Sequence, residues 1–247
     1  MVSVLEFEKQ FIKIIDRCII GQSNSFVKDD FSLVTDSDIL AESELIKFIK
    51  SNFPEISIVS EENPASHLES YELNNRFAII DPIDGTENYY YTKSNYGSVV
   101  SVVYDDFVYH GIYIPSLKQI TSSININNYT FNNSSIKLLS TSCLNSELKK
   151  IEGSFQNYRI LGSSSYMFFL LLRGEASSYD YCGKAKIWDY YTGISLALMI
   201  NNSFNIFLGD INLNEFDFNN LNLKHKSSFK IQINSNSNGK NKNISLW

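Results

Sequence analysis

Asp81-Pro82-Ile83-Asp84-Gly85-Thr86-Glu87-Asn88 follows directly on the apolar run Phe77-Ala78-Ile79-Ile80. Four consecutive apolar residues read as a buried strand, and the octapeptide sets two carboxylates three residues apart at the carboxyl end of that strand. Pro82 fixes the backbone between them, and Gly85-Thr86 follows with free backbone N–H groups. A bare Asp-Pro-x-Asp is compatible with a surface turn, whose geometry Asp and Pro favour. Delivered by a fully apolar strand and followed by Gly-Thr, it matches the needs of phosphate chemistry on a hard cation. Those needs are oxygen ligands for a metal and amide donors for an anion.

Three other segments supply partners. Ser60-Glu61-Glu62 ends a second short apolar run. A Glu pair alone is a solvated loop; beside the aspartates, one Glu becomes a third ligand candidate. Trp188-Asp189 opens an apolar helix, where an acid stabilises the N-terminus and can ligate a cation from the same position. Gly162-Ser163-Ser164-Ser165 is a small polar turn before another apolar helix. It reads either as an N-cap or as a cradle for a substrate hydroxyl or phosphate. Glu61, Asp81, Asp84 and Asp189 together suggest an oxygen-only site suited to Mg²⁺, with none of the His or Cys that Zn²⁺ prefers. His67, His110 and His225 lie outside every motif and read as structural or exposed.

Composition bounds the rest. The 247 residues carry a net charge of −6, with 43% hydrophobic and 19% charged residues, the balance of a globular protein. An acidic chain with a pI near 5.1 lacks the basic face of a nucleic-acid or membrane-surface binder. A local basic pocket for one small anion remains compatible with it. The apolar stretch 167–172 is too short to span a bilayer. Cys18, Cys143 and Cys182 are few, odd in number and without a CxxC, which suggests a reducing compartment. With no signal-peptide pattern at the N-terminus, the expected location is cytoplasmic.

Periodicity predicts helices over 4–20 and 38–51, strands over 56–59 and 77–80, and antiparallel strands across 96–122. The polar segment 125–135 is the expected boundary between an N-terminal α+β metal-binding subdomain (1–130) and a C-terminal α/β subdomain (131–247). In the second half, 136–139, 158–161 and 204–208 read as strands, and 164–172 and 187–201 as helices. Residues 234–243 have little to bury and are expected to be disordered. The expected class is a layered α/β fold.

At this point the chain resembles the inositol monophosphatase superfamily of Mg²⁺-dependent, lithium-sensitive phosphatases. The resemblance rests on the intact Asp-Pro-Ile-Asp-Gly-Thr at 81–86, Glu61-Glu62, Trp188-Asp189, Val34-Thr35-Asp36-Ser37-Asp38 and Gly162-Ser163, in order from about residue 5 to residue 210. It implies an αβαβα sandwich and hydrolysis of a small phosphorylated metabolite with two or three Mg²⁺ ions. By similarity, Glu61, Asp81 and the Ile83 carbonyl hold one ion, and Asp81, Asp84 and Asp189 a second. Glu61, with Glu62 and water, serves a third. Thr86 with Asp38 activates the attacking water, and the N–H groups of Gly85 and Thr86 hold the phosphate.

Departures bear on the substrate. Tyr190-Tyr191-Thr192-Gly193 replaces the family's small residues after Trp-Asp, and Tyr181-Cys182-Gly183 lacks an acidic inositol contact. Ser60-Glu61-Glu62, Gly162-Ser163-Ser164 and the run 183–189 look like the 3′(2′),5′-bisphosphate nucleotidase branch. There, Lys184 and Lys186 would meet a second phosphate. Ser140-Thr141-Ser142-Cys143 departs from that branch, and Glu87-Asn88 is closer to the inositol phosphatases. The expected substrate is therefore adenosine 3′,5′-bisphosphate. The alternatives are an inositol or sugar phosphate, or an inactive metal-binding relative with an interaction role. The resemblance also allows a homodimer.

Overall fold

The structure is a computed structural model that describes residues 2–19, 24–28, 32–63, 70–71, 75–129, 131, 134–143, 157–200, 203–214, 223–224 and 226–234. Helix α1 (Val4–Cys18) begins at Ser3, whose hydroxyl accepts the Glu6 N–H at 3.3 Å. Its buried stripe is Phe7, Phe11, Ile14, Ile15 and Cys18, the spacing of one helical face. The hairpin β1 (Ser25–Val27) and β2 (Leu33–Thr35) leads into α2 (Asp36–Asn52), then β3 (Ser57–Ser60), β4 (Ser70–Tyr71), β5 (Arg76–Asp84) and α3 (Thr86–Thr92). The meander β6 (Gly97–Tyr104), β7 (Phe107–Ile114) and β8 (Gln119–Ser122) follows. Beyond it come β9 (Lys137–Leu139), β10 (Tyr158–Arg159), α4 (Ser164–Leu172), β11 (Ser178–Lys186), α5 (Ile187–Met199), β12 (Phe204–Leu208), β13 (Ile211–Asn212), β14 (Leu223–Lys224) and β15 (Lys226–Ile233).

Five strands form a sheet in the order β3-β5-β6-β7-β8, and six form a second in the order β10-β9-β11-β15-β12-β13. Strand alternation sorts the side chains of the first sheet. Ala78, Ile80, Val100, Val102 and Tyr109 pack with α1 and α2, whereas Phe77, Ile79, Val99, Ile112 and Ile114 pack with α4 and α5. The second sheet covers the far side of α4 and α5 through Tyr179, Ile206, Phe229 and Ile231. The chain is thus a layered α/β sandwich, with helix, sheet, helix and sheet among the described residues.

Helix α5 lies between two sheets and is apolar on all sides, as such a position requires. This accommodates the bulky pair after Trp-Asp. Tyr191 meets Phe77 of the first sheet edge-on at 5.6 Å, while Tyr190 faces Phe229 of the second at 6.4 Å. Gly193 lets α4 approach: a Cβ there would lie 2.3 Å from the Phe168 ring.

A polar seam crosses the same layer. The Thr192 and Ser101 hydroxyls are 2.9 Å apart, and Ser101 lies 2.8 Å from His110 Nδ1. Burial pushes the His110 imidazole down to about 4, so the native state holds it neutral. A folded value below the unfolded one contributes stability above the unfolded pKa that is lost as pH falls through the folded one. We expect His110 to cost the native state on the order of 2–3 kcal/mol between pH 7 and pH 4.5. Urea unfolding at both pH values should show a smaller acid loss for His110→Gln than for the wild-type chain. Equal losses would contradict the assignment.

The structure departs from sequence expectation in several places. Strand β5 runs on through Asp84 instead of stopping before the acidic turn. Residues 158–161 form a strand only over Tyr158–Arg159. Cys143 and Cys182 form a disulfide with Cα atoms 5.0 Å apart, leaving Cys18 as the free, buried cysteine. The cysteine count therefore does not support a reducing compartment; a sequence separation of 39 hid a pair that the fold brings together. The tail beyond Asn234, together with His67 and His225, lies outside the described residues. Among the described residues no helix is long and apolar enough to cross a membrane.

Candidate active site

The site forms where β5 loses its regular register. Asp81 pairs with Val99 of β6 and Asp84 with Gly97, so three steps on one strand oppose two on the other. In a regular strand, residues 81 and 84 would face opposite sides; one extra residue removes that parity. Pro82 sits inside the bulge, where its missing N–H breaks no ladder bond, and the Ser98 hydroxyl donates to its carbonyl. Asp81 and Asp84 thereby share one side, where Asp189 of α5 joins them. A ligand oxygen from each of the three lies within 4.8 Å of the others.

Each carboxylate is held from behind. Asp81 Oδ1 accepts the Ile83 N–H at 3.1 Å. Asp84 Oδ2 accepts the Ser163 hydroxyl at 2.7 Å and the Ser165 N–H. Asp189 Oδ2 accepts the Lys186 N–H at 2.7 Å, closing the first turn of α5. Asp81 Oδ2 is buried and has no hydrogen-bond partner. Buried polar oxygens normally have a donor, so this one suits a cation. Burial raises the Asp81 carboxyl well above the usual range, and Glu61, Asp84 and Asp189 add to the rise. Asp189 is raised by burial, then by Asp84 and Glu61. Asp84 is also raised by burial, against the restraining hydrogen bonds of Ser163 and Ser165. Three crowded, desolvated carboxylates resist ionisation unless positive charge is supplied, and a hard divalent cation fits this donor set.

Asp38 couples α2 to the site. It completes a capping box with Thr35, whose N–H donates to Asp38 Oδ2 at 2.8 Å and whose hydroxyl also contacts that oxygen. The other oxygen, Oδ1, lies 3.1 Å from Thr86 Oγ1, which is also 3.1 Å from the Ile83 carbonyl. Gly85 caps α3 at φ +86°, a left-handed conformation in which a Cβ would approach Ser163 Cβ to 2.8 Å. A residue with a side chain would therefore push the serine turn off Asp84.

Glu61 and Glu62 follow β3 and stand beside the aspartates. Lys28 Nζ lies 2.7 Å from Glu62 Oε1 and 3.5 Å from Glu61 Oε1, and Lys186 Nζ lies 3.4 Å from the same Glu61 oxygen. Burial raises Glu62 to about 7, and its N–H donates to Glu42 Oε2 at 3.0 Å. A cleft of about 740 Å³ opens here, lined by Lys28, Glu42, Glu61, Glu62 and Lys186.

The substrate-side expectations divide. Ser163 is within the group, on Asp84. The Ser164 hydroxyl lies 2.9 Å from the Tyr179 hydroxyl in the core. Gly162 has φ +75° and sits against Asn88, whose amide donates to the Leu161 carbonyl at 2.6 Å. Lys186 reaches Glu61, whereas Lys184 is exposed on β11. Sequence reasoning missed Lys28 and Glu42, and it named Asn88 and Ser165 only as members of their motifs, without a role of their own. The last acts through its N–H, which no side-chain pattern reveals.

A carboxylate triad, with Asp81 and Asp84 buried and Asp189 partly so, and a threonine–aspartate pair at its edge define a metal-dependent phosphoric monoester hydrolase. The chain belongs to the inositol monophosphatase family, whose family model matches residues 6–197. It is 26% identical over 189 residues to the 3′(2′),5′-bisphosphate nucleotidase CysQ of Shigella flexneri, covering 69% of this chain and 74% of that one. Inositol monophosphatase 1 of Homo sapiens is 35% identical over 82 residues, 33% of this chain and 30% of that one. Among solved structures, an IMPase/NADP phosphatase complexed with NADP and Ca²⁺ superposes with a TM-score of 0.72 at 19% identity, covering 96% of this chain and 94% of that one. A Staphylococcal IMPase-I complexed with products superposes with a TM-score of 0.70 at 19% identity, covering 98% and 96%.

Proposed function

We propose that this enzyme removes the 3′-phosphate of adenosine 3′,5′-bisphosphate to leave AMP. The observation that carries the reading is Tyr181. It stands two residues before Gly183, where an inositol-directed enzyme would present a carboxylate. Burial pushes its hydroxyl up, and the charges of Asp189, Asp84 and Glu61 act in the same direction. It packs on Phe229 at 5.4 Å. The neighbouring acid, Asp180, falls on the opposite side of β11 by strand alternation, within 3.7 Å of Lys230 Nζ. An aromatic face without a carboxylate suits a nucleoside better than a ring of hydroxyls. Lys184 and Lys186 then serve the second phosphate. The similarity to bisphosphate nucleotidases over 69% of the chain supports the same choice.

Asp81, Asp84 and Asp189 would hold Mg²⁺, with Glu61 and the Ile83 carbonyl as further ligands. When bound, the metal polarises the phosphoryl group, acidifies water and neutralises the leaving oxygen. The chain's own groups supply orientation. Thr86 has one hydroxyl hydrogen and two lone pairs. When it donates to Asp38 Oδ1, its lone pairs can accept a hydrogen bond from water and aim that water at phosphorus. The N–H groups of Gly85 and Thr86 hold the phosphate at the bare start of α3. Ser163 and Ser165 keep Asp84 in its ligating orientation, and Asn88 ties their turn to α3.

The test is phosphate release with Mg²⁺ from adenosine 3′,5′-bisphosphate, NADP, inositol 1-phosphate and fructose 1,6-bisphosphate in parallel. We expect the highest kcat/KM for the bisphosphate, with Tyr181→Ala raising its KM more than it lowers kcat. A higher kcat/KM for inositol 1-phosphate would overturn the substrate assignment and leave the reaction class in place.

A further inference from the structure

We propose that Lys28, together with Lys186, takes the place of a third cation beside Glu61 and Glu62, so that this centre works with two divalent ions. The inference rests on the reading of the aspartate triad as a metal site and concerns the ion count, which the family resemblance leaves at two or three.

The geometry points to it. The three aspartates gather ligand oxygens within 4.8 Å of one another, and neither glutamate is part of that group. Glu61 Oε1 instead faces two ammonium groups, from Lys28 at 3.5 Å and Lys186 at 3.4 Å, while Glu62 Oε1 is held by Lys28 at 2.7 Å. All four side chains are largely withdrawn from solvent, with exposures of 13–26%. Charges in such surroundings interact more strongly than surface pairs do.

Neither lysine is a loose surface chain. The Lys28 N–H donates to the Ser32 carbonyl at 2.8 Å, closing the β1–β2 hairpin. The Lys186 N–H donates to Asp189 Oδ2, and its ammonium lies over the Trp188 ring at 5.4 Å. Both backbones are therefore anchored within the site.

Room does not prevent a further ion, because the cleft beside these residues is about 740 Å³. Charge does. Two glutamates already face two ammonium groups, so an entering divalent ion would meet neutralised ligands and the repulsion of both lysines. An ammonium differs from a divalent ion in a useful way: it is covalently attached and needs no uptake from solution.

The test is equilibrium dialysis of the substrate-free chain against Mn²⁺, counting bound ions. We expect two ions per wild-type chain and per Lys28→Arg chain. In Lys28→Met and in Lys28→Met/Lys186→Met we expect a third, bound at least tenfold tighter than any further ion in the wild type. Three ions on the wild-type chain, with the third within tenfold of the second, would overturn the proposal whether or not the variants fold. So would a count of two in every folded variant. A wild-type chain that binds no ion would overturn the metal-site reading itself. Three ions with full turnover would remove only the role given to the lysines.

Discussion

Asp84→Asn should lower kcat on the order of 10²–10³-fold, because Lewis-acid stabilisation is worth several kcal/mol and each 1.4 kcal/mol is a factor of ten. Asn keeps the shape of Asp and an oxygen that can still accept the Ser163 hydroxyl, now at 2.7 Å from Asp84 Oδ2. What it removes is one negative charge from the triad. The same change should leave the metal-free fold as stable as before, or more stable, at neutral pH. Burial raises the Asp84 carboxyl above its ordinary value. A folded pKa above the unfolded one favours the fold below the unfolded pKa, and that contribution is lost as pH rises through the folded one. Ionised Asp84 therefore opposes folding near pH 7, and Asn relieves it. The wild-type chain should gain several degrees in Tm on adding Mg²⁺, by preferential binding to the folded state, and the variant much less. Thermal unfolding with and without Mg²⁺, beside steady-state kinetics, checks all three. Near-wild-type turnover would sink the metal assignment.

Thr86→Val and Asp38→Asn should each reduce kcat by about 10²–10⁴-fold, the range for a positioned proton acceptor or donor. Their combination should cost little more than either alone. Both act through one contact, Thr86 Oγ1 to Asp38 Oδ1 at 3.1 Å, and residues that act as a unit are strongly non-additive. The two differ in stability. Asp38 Oδ2 accepts the Thr35 N–H at the start of α2, and an unmade cap costs about 1 kcal/mol. Asn can present an oxygen to that N–H, so Asp38→Asn should retain the helix while Asp38→Ala loses the cap. Strict additivity of Thr86→Val and Asp38→Asn in kcat would show that the two residues work separately. Such a result would remove Asp38 from the path of the water's proton.

Much of this site is legible in the chain itself because its ligands sit at the ends of regular elements. Apolar runs mark where strands and helices lie, and Glu61, Asp84 and Asp189 stand near the ends of such elements. Helix α4 is readable to the residue, since Ser164–Leu172 is apolar almost throughout and buried on most sides. Strands β11 and β15 were missed for opposite reasons. In β11, Ser-Tyr-Asp-Tyr-Cys-Gly-Lys-Ala-Lys hides its alternation behind a bulge between Tyr181 and Ala185. In β15, Phe229, Ile231 and Ile233 do alternate, but in a polar, Asn-rich surrounding. Lys28 escaped because its role depends on a hairpin of two three-residue strands, too short for periodicity to register.

Sequence alone determined the reaction class through its family resemblance, since Asp81, Asp84, Thr86 and the acids at 38, 61 and 189 match the family's motifs in order and spacing. Only the tertiary structure decided how those acids are used. The bulge in β5 removes the parity that would part Asp81 from Asp84. Packing of α5 between two sheets brings Asp189 to them from more than a hundred residues away. The same packing turns Ser164 into the core, puts Tyr181 within electrostatic reach of Asp84 and Asp189 and closes Lys28 and Lys186 on Glu61. Local sequence specifies where an element ends. Which charges then meet is set by long-range packing, because desolvation and Coulomb energies depend on distance in space and not along the chain.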